Sequence, residues 1–301
     1  MSRDRIRKPS RSIRADRQEW GMLLPFLLLF GVFTILPVLS SLVLSFTDFN
    51  MLEPPSFVGL RNYIRLFIED DIFLIAVRNT LIFAFLTGPV SYFACLIFAW
   101  LINELPPRPR SLMTLVFYAP SIAGNVYFIW LWIFSGDAYG LVNSFLMRLG
   151  LLDEPILWLA DPRYNLRIII LVQLWLSLGV SFLAFIAGLQ SIDASIYESG
   201  AVDGVRNRFQ ELIYLTLPSM GPQLMFGAVM QIAISFSVSG VSSALAGFPS
   251  TDYSAHTVVL HMQDYGTLRF EMGYASAIAA VLFLTMLLTN SGIKRILSRF
   301  S

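Results

Sequence analysis

Three groups of polar residues interrupt an otherwise apolar chain, and they are where any chemistry would have to occur. The first is an island, Tyr197 to Pro222, set between two apolar runs. Ser195 and Glu198 have capping-box spacing, which predicts a helix starting there. Gly204 carries no Cβ and suits the left-handed residue that closes such a helix. Phe209, Leu212 and Ile213 recur at helical spacing, so a second short helix is expected from about Asn207 to Thr216, stopped or kinked by Pro218. Two stubby helices joined at a glycine, charged on one side and apolar on the other, suit docking onto a protein surface.

The second group lies inside apolar runs. Gln173, Ser177 and Ser181 recur every four residues, and Gln231, Ser235, Ser239 and Ser242 make a similar stripe further on. Ser121 pairs with Asn125, and Thr80, Thr87 and Ser91 lie near one face. In hydrocarbon an unsatisfied polar group costs several kcal/mol, so these side chains must face protein or water. One reading is helix–helix contact, where small hydroxyl residues let backbones approach. The other is a solute path, to which Trp175 and Phe236 would add rings. The third group is His256 and His261, five residues apart and so not on one helical face, as a metal pair would need. No G-x-x-x-x-G-K-S/T loop and no nucleophile elbow is present, so the chain is not expected to be an enzyme.

The elements that must position these residues follow from composition. The chain has 301 residues, 56% hydrophobic and only 14% charged, with a mean hydropathy of +0.67. Those values describe a polytopic membrane protein. The single cysteine, Cys95, lies in an apolar run and reads as packing. Six uncharged runs are long enough to cross a bilayer: Trp20–Thr47, Asn79–Asn103, Ser111–Gly136, Ile168–Ile192, about Ser219–Gly247, and Met272–Ile293. Residues 1–19 are expected to form a basic arm, either disordered or lying on anionic lipid headgroups, and residues 20–301 the membrane domain. Pro25 and Pro37 predict bends in the first span.

Basic residues cluster on one side of these runs. Arg3, Arg5, Arg7, Lys8, Arg11, Arg14 and Arg17 precede the first span, and six crossings put Arg108, Arg110, Arg206, Arg208, Lys294, Arg295 and Arg299 with them. Both termini and the island are therefore expected in the cytoplasm. A cleaved signal peptide is disfavoured, because the first apolar run is too long and no small-residue cleavage site follows it. The longest loop on the other side, 137–167, contains an amphipathic stretch, Tyr139 to Leu149, with Trp158 and Tyr164 suited to the membrane interface. It is either a helix lying on the membrane or a platform for a partner.

At the island the chain resembles the inner-membrane permease subunits of ABC importers. Their signature runs roughly Glu-Ala-Ala, two variable residues, Asp-Gly-Ala, then Phe, Ile, Leu-Pro and a further Pro. Glu198, Asp203, Gly204, Phe209, Ile213, Leu217, Pro218 and Pro222 occupy those places, while the alanines read Ser199, Gly200 and Val205. Gly200 is expected to weaken its helix by roughly 1 kcal/mol relative to alanine. Phe57-Val-Gly-Leu-Arg-Asn-Tyr63, Asn79-Thr80 and Gly273-Tyr-Ala-Ser-Ala277 resemble further stretches of the carbohydrate-uptake class.

The resemblance implies an all-α permease with six transmembrane helices and the type I ABC importer fold, lying in the bacterial inner membrane. It implies a coupling loop at about 193–218, with Glu198, Asp203, Gly204, Phe209 and Pro218 contacting the motor. The partners it implies are a second permease subunit, two cytoplasmic ATPase subunits that carry ATP and Mg, and an extracytoplasmic solute-binding protein, with no nucleic acid. The only ionisable residue near a span core is Arg78, at the expected edge of the second span, and it can snorkel to the interface. An ion-driven secondary transporter would be expected to show intramembrane carboxylates. That absence favours a neutral sugar, although Arg163 and Arg167 keep an anionic one open.

Overall fold

In lipid the backbone has no water to bond, so long apolar segments close their N–H and C=O groups internally as helices. The computed structural model describes residues 13–124 and 126–297, with side chains from 20 to 295. The basic-arm reading, Asn125 and Arg299 fall outside the residues or side chains so described. Among the described residues five helices are long and apolar enough to cross a membrane: Trp20–Leu44, Asp71–Asn103, Asn165–Gln190, Gly221–Ala246 and Met272–Arg295. The sixth candidate span, the third in chain order, is a pair of helices, Pro107–Ile122 and Tyr127–Ile133, bent by 84°. Among the described residues β structure amounts to one isolated bridge, Thr47 to Phe57.

The second span starts at Asp71, well before the expected Asn79. A charge-free window cannot reach across Arg78, but that side chain is exposed and tolerated two turns into the helix. The actual start is set by Asp70, whose side chain accepts a hydrogen bond from Phe73 N at 2.9 Å. Pro37 and Pro218 share a device that Pro25, Pro89 and Pro120, each inside an α-helix, do not use. The turn Gly31–Ile35 is a π-helix whose closing bond runs from Leu36 N to Gly31 O, immediately before Pro37. Leu212–Thr216 repeats it, with Leu217 N bonding to Leu212 O ahead of Pro218. A proline ring would crowd the carbonyl four residues back, and the wider turn gives it room. Pro218 therefore does not stop its helix. The chain runs on through Leu217–Ser219 and breaks at Met220 before Gly221–Phe236 begins.

The second span is the central post, packed against the fourth and fifth. Cys95, Ala99, Phe182, Phe185 and Met220 bury one contact, and Phe83, Ile169, Val172, Val238 and Val241 another. The first span buries no residue between Trp20 and Leu44 inside this chain, and only Leu36–Leu44 lies along the last span. Loop 137–167 does contain the expected helix, at Leu141–Arg148. Asn143 holds that loop together. Its Nδ2 donates to Ser135 O and Asp137 O at 3.1 Å and to Ile156 O at 3.0 Å. Its Oδ1 accepts from Ile156 N at 3.1 Å and from Trp158 Nε1 at 2.8 Å. Asn143→Ala strands several buried groups, so a loss of about 2 kcal/mol or more of local stability is expected. Hydrogen exchange over 135–158 should accelerate, and unchanged exchange would show that the hub is dispensable.

Candidate functional site

The island folds as two short helices, Ala194–Val202 and Arg208–Glu211, the second continuing into the π turn. The cap of the first helix is Asp193, not Ser195: the Asp193 carboxylate accepts from Ser195 N at 2.9 Å, which pulls its titration below the usual carboxylate range. Glu198, the expected capping-box partner, is instead exposed and outward. At the far end Val205 N bonds to Gly200 O at 3.0 Å and Gly204 N to Ala201 O at 3.3 Å, a Schellman closure with Gly204 at φ +94°. Asn207 caps the second helix by accepting from Gln210 N at 2.8 Å. Gly200, expected to weaken its helix, faces Leu215 so closely that an added Cβ would come within 2.5 Å of that side chain.

Glu198, Asp203, Gly204, Phe209 and Pro218 are all exposed. So are large apolar side chains nearby, with Val202 at 88% and Phe209 at 65%. The island is fastened to the second span through Arg208, which pairs with Glu104 at 3.2 Å and Glu211 at 2.7 Å. Phe209 also meets the Trp100 ring edge-on at 6.2 Å. With Arg208 about two-thirds exposed, these ion pairs orient the island more than they stabilise it.

The polar stripes do not run along unbroken helix faces, as their spacing predicts. The fourth span breaks at Ser177–Gly179, the fifth at Ser237–Ser239, and the third between its helices Pro107–Ile122 and Tyr127–Ile133. Each break is separated from the island end of its span by a helix of 11 to 16 residues, about 17–24 Å at helical rise. They are neighbours in space. A Cβ built at Gly179 would meet Ser121 at 3.5 Å, and one at Gly240 would meet the Tyr127 hydroxyl at 3.4 Å. Trp130 and Trp175 meet edge-on at 5.4 Å beside them. Ser177-Leu-Gly179 and Ser237-Val-Ser-Gly240 within apolar runs are the local signal from which the fourth- and fifth-span breaks could have been read.

The stripe residues divide between roles. Gln231 Nε2 donates to Ser177 O at 3.2 Å and lies 3.4 Å from Cys95 Sγ, filling the carbonyl freed by the fourth-span break. Ser181 Oγ donates to Gly227 O at 3.2 Å, Ser242 Oγ to Ala255 O, and Thr257 Oγ1 to Val238 O at 2.7 Å. Gln173 is buried, and Ser239 sits half-buried at the start of Gly240–Ala246. Gln231, Ser235 and Phe236 border a cavity of about 320 Å³ between the second, fifth and last spans. Trp175 borders another, of about 340 Å³, between the second, third and fourth.

No family model matches the chain. The probable ABC transporter permease protein YesP of Bacillus subtilis is 33% identical over 282 residues, covering 91% of this chain and 89% of that protein. The chain belongs to the ABC transporter permeases. The permease is also 34% identical to the lactose transport system permease protein LacF of Rhizobium radiobacter over 217 residues, 71% of each chain. It is 29% identical to the arabinooligosaccharides transport system permease protein AraP of Bacillus subtilis over 268 residues, 88% of the permease and 84% of that protein. In fold the permease matches a chain of a bacterial alginate ABC transporter, solved in complex with an alginate pentasaccharide-bound periplasmic protein. The TM-score is 0.72 at 23% identity, over 95% of the permease and 96% of that chain. The all-α, multi-span importer architecture expected from the island motif is thereby established.

Proposed function

We propose that the permease forms one half of a sugar-translocation path and is driven through its island by a cytoplasmic ATPase that binds ATP and Mg. The observation that carries this reading is the level cluster of span breaks. Gly124, Ser237 and Gly240 are exposed there, and irregular backbone at membrane depth is tolerated only against protein or a water-filled cavity. That face is the permease's share of the path, completed by a second permease subunit. No acidic or basic side chain lies at 121–127, 175–181 or 235–242. Serine hydroxyls, Trp175, and the buried Trp130 Nε1, which has no protein partner, suit the hydroxyls and faces of a neutral sugar.

Sugar reaches the end opposite the island on a solute-binding protein, with loop 137–167 as its platform. Both termini and the island lie in the cytoplasm, as the arginine distribution supports. ATP binding favours the outward-facing arrangement through differential contacts with the docked island, since equal contacts in both states would shift nothing. Glu198, Asp203, Gly204, Phe209 and Pro218 are the coupling surface, and Gln173, Trp175, Ser177, Ser181, Gln231, Ser235, Phe236, Ser239 and Ser242 line or support the path. The test is uptake in vesicles holding the full importer. ATP depletion with ion gradients held should stop sugar entry, and sugar-loaded binding protein should stimulate ATP turnover. Uptake that persists without ATP would transfer the permease to ion-coupled transport and overturn the reading.

A further inference from the structure

At the end opposite the island a chain of titratable groups runs through the protein interior. Asp70 Oδ2 receives hydrogen bonds from His261 Nε2 at 3.0 Å and Tyr274 OH at 2.7 Å, while its Oδ1 accepts from Phe73 N. His261 Nδ1 lies 3.3 Å from His256 Nε2. The spacing argument that set the two histidines apart holds only within one helix. His256 sits in the loop before helix Val258–Gln263, and His261 sits on it, so their rings meet edge-on at 5.4 Å. Both are buried, at 2% and 1% exposure.

Ionised Asp70 can only accept, and with both imidazoles neutral this sets the direction of every bond. His261 donates from Nε2, its Nδ1 accepts from His256 Nε2, and His256 Nδ1 is left as a bare lone pair. That atom is buried with no partner. A proton added there would place a cation in an apolar pocket, stacked on Phe248 at 5.9 Å and against the Tyr253 edge at 5.3 Å. Burial, then His261, hold His256 down to about 4. The other charges that act on it are Asp70 from the second-span cap, and Asp264 and Arg269 from the π turn and its end. Arg269 pairs with Asp264 at 2.7 Å, while Arg65 pairs with Glu271 over the Tyr274 ring. Burial raises Asp70, and its three hydrogen bonds more than reverse this, leaving it well below the usual carboxylate range.

The segment that His256 closes joins three spans. Asn79 of the second span donates to Tyr253 O at 3.0 Å and His256 O at 2.9 Å. Asn165 of the fourth donates to Ser254 Oγ at 2.6 Å, and Ser242 of the fifth to Ala255 O. Within it Asp252 and Tyr253 both sit at positive φ, 51° and 52°, a conformation held only by its surroundings.

We propose that Asp70, His261 and His256 form an acid-released latch, which holds segment 247–257 across the second, fourth and fifth spans while both imidazoles are neutral. Acidification protonates His256 in the released segment, and the strained turn at 252–253 opens. The latch is a property of this chain alone, and only its effect on sugar passage rests on the proposed path. The sign follows from linkage. Between the ordinary histidine value of 6.5 and about 4 the released segment binds more protons than the latched one. The latched state therefore loses ground as pH falls through that window and regains it above.

The chain has two histidines, so ¹⁵N-histidine spectra of the full chain, purified with a histidine-free tag, read the site directly. One imidazole should stay neutral with Nδ1 unprotonated down to pH 6, and His256→Phe should remove that signal. Hydrogen exchange, corrected for intrinsic rates, should show protection of 247–257 falling on the order of tenfold from pH 7.5 to 5.0. Protection of 221–236 should not change, and His256→Phe, which keeps the ring on Phe248, should flatten the response. Two histidines titrating near 6.5, or a wild-type segment indifferent to pH, would overturn the latch. Neither readout needs sugar, ATPase or membrane orientation, so failure of the transport reading would leave them interpretable.

Discussion

Gly204→Asp is expected to reduce uptake to background while the chain still inserts in the membrane. At φ +94° a side chain meets its own backbone, and left-handed geometry costs an L residue about 1–2 kcal/mol. The closure of helix Ala194–Val202 onto Gly200 O and Ala201 O depends on that geometry. Losing it swings Glu198 and Asp203 away from their fixed relation to Phe209. The spans lie outside the affected turn, so membrane extraction and thermal stability of the chain should change little. Gly204→Asn, which tolerates left-handed backbone better, should retain part of the uptake. Glu198→Lys reverses an exposed charge without touching the fold, and it should match the aspartate variant. Normal uptake in Gly204→Asp or Glu198→Lys would remove the island from the mechanism.

Gly273→Ala is expected to prevent the chain from accumulating in folded form. The added Cβ would sit 2.0 Å from Thr47 O and 3.0 Å from Phe49 N, both backbone atoms that no rotamer change can move. Gly273 N also donates to Phe49 O at 2.9 Å. Thr47 O cannot retreat freely, because the buried Asn62 grips it at 2.7 Å while holding Ser45 O at 2.9 Å. Overpacking at this joint together with stranded hydrogen bonds should cost about 3 kcal/mol or more. Gel filtration of detergent extracts should show loss of the monodisperse peak. A wild-type melting temperature in the variant would mean that the joint is looser than its geometry implies.

That joint explains why three scattered strings carried the resemblance in sequence. Asn62 belongs to the Phe57–Tyr63 string, Gly273 to the Gly273–Ala277 string, and Asn79 with Thr80 to the third. Asn62 and Gly273 meet at Thr47 and Phe49, while Asn79 and Thr80 hold 253–258. The island was legible for a similar reason, since caps and turns are local and glycine, asparagine and proline mark them. Its one misplacement, Ser195 for Asp193, arose because several residues near a helix start can cap it. Span existence followed from hydropathy, but span shape did not. Serines and glycines mark Ser177–Gly179 and Ser237–Ser239 as weak points, but what lets the helices break there is that distant side chains, Gln231 and Thr257, donate to the freed carbonyls. No local pattern reports a partner tens of residues away. The contact of Asp70 with His261 was illegible on the same ground.

The bare first span has a consequence for how the molecule is made. Trp20–Leu44 leaves the ribosome long before Met272–Arg295, the neighbour it rests on within this chain. Until Met272–Arg295 has been made, the first span must wait in the bilayer among lipids or borrowed chaperones, with its Thr47–Phe49 collar undocked. Any stall or truncation upstream of Gly273 should therefore leave a product that is inserted yet unclosed, and open to quality-control proteolysis.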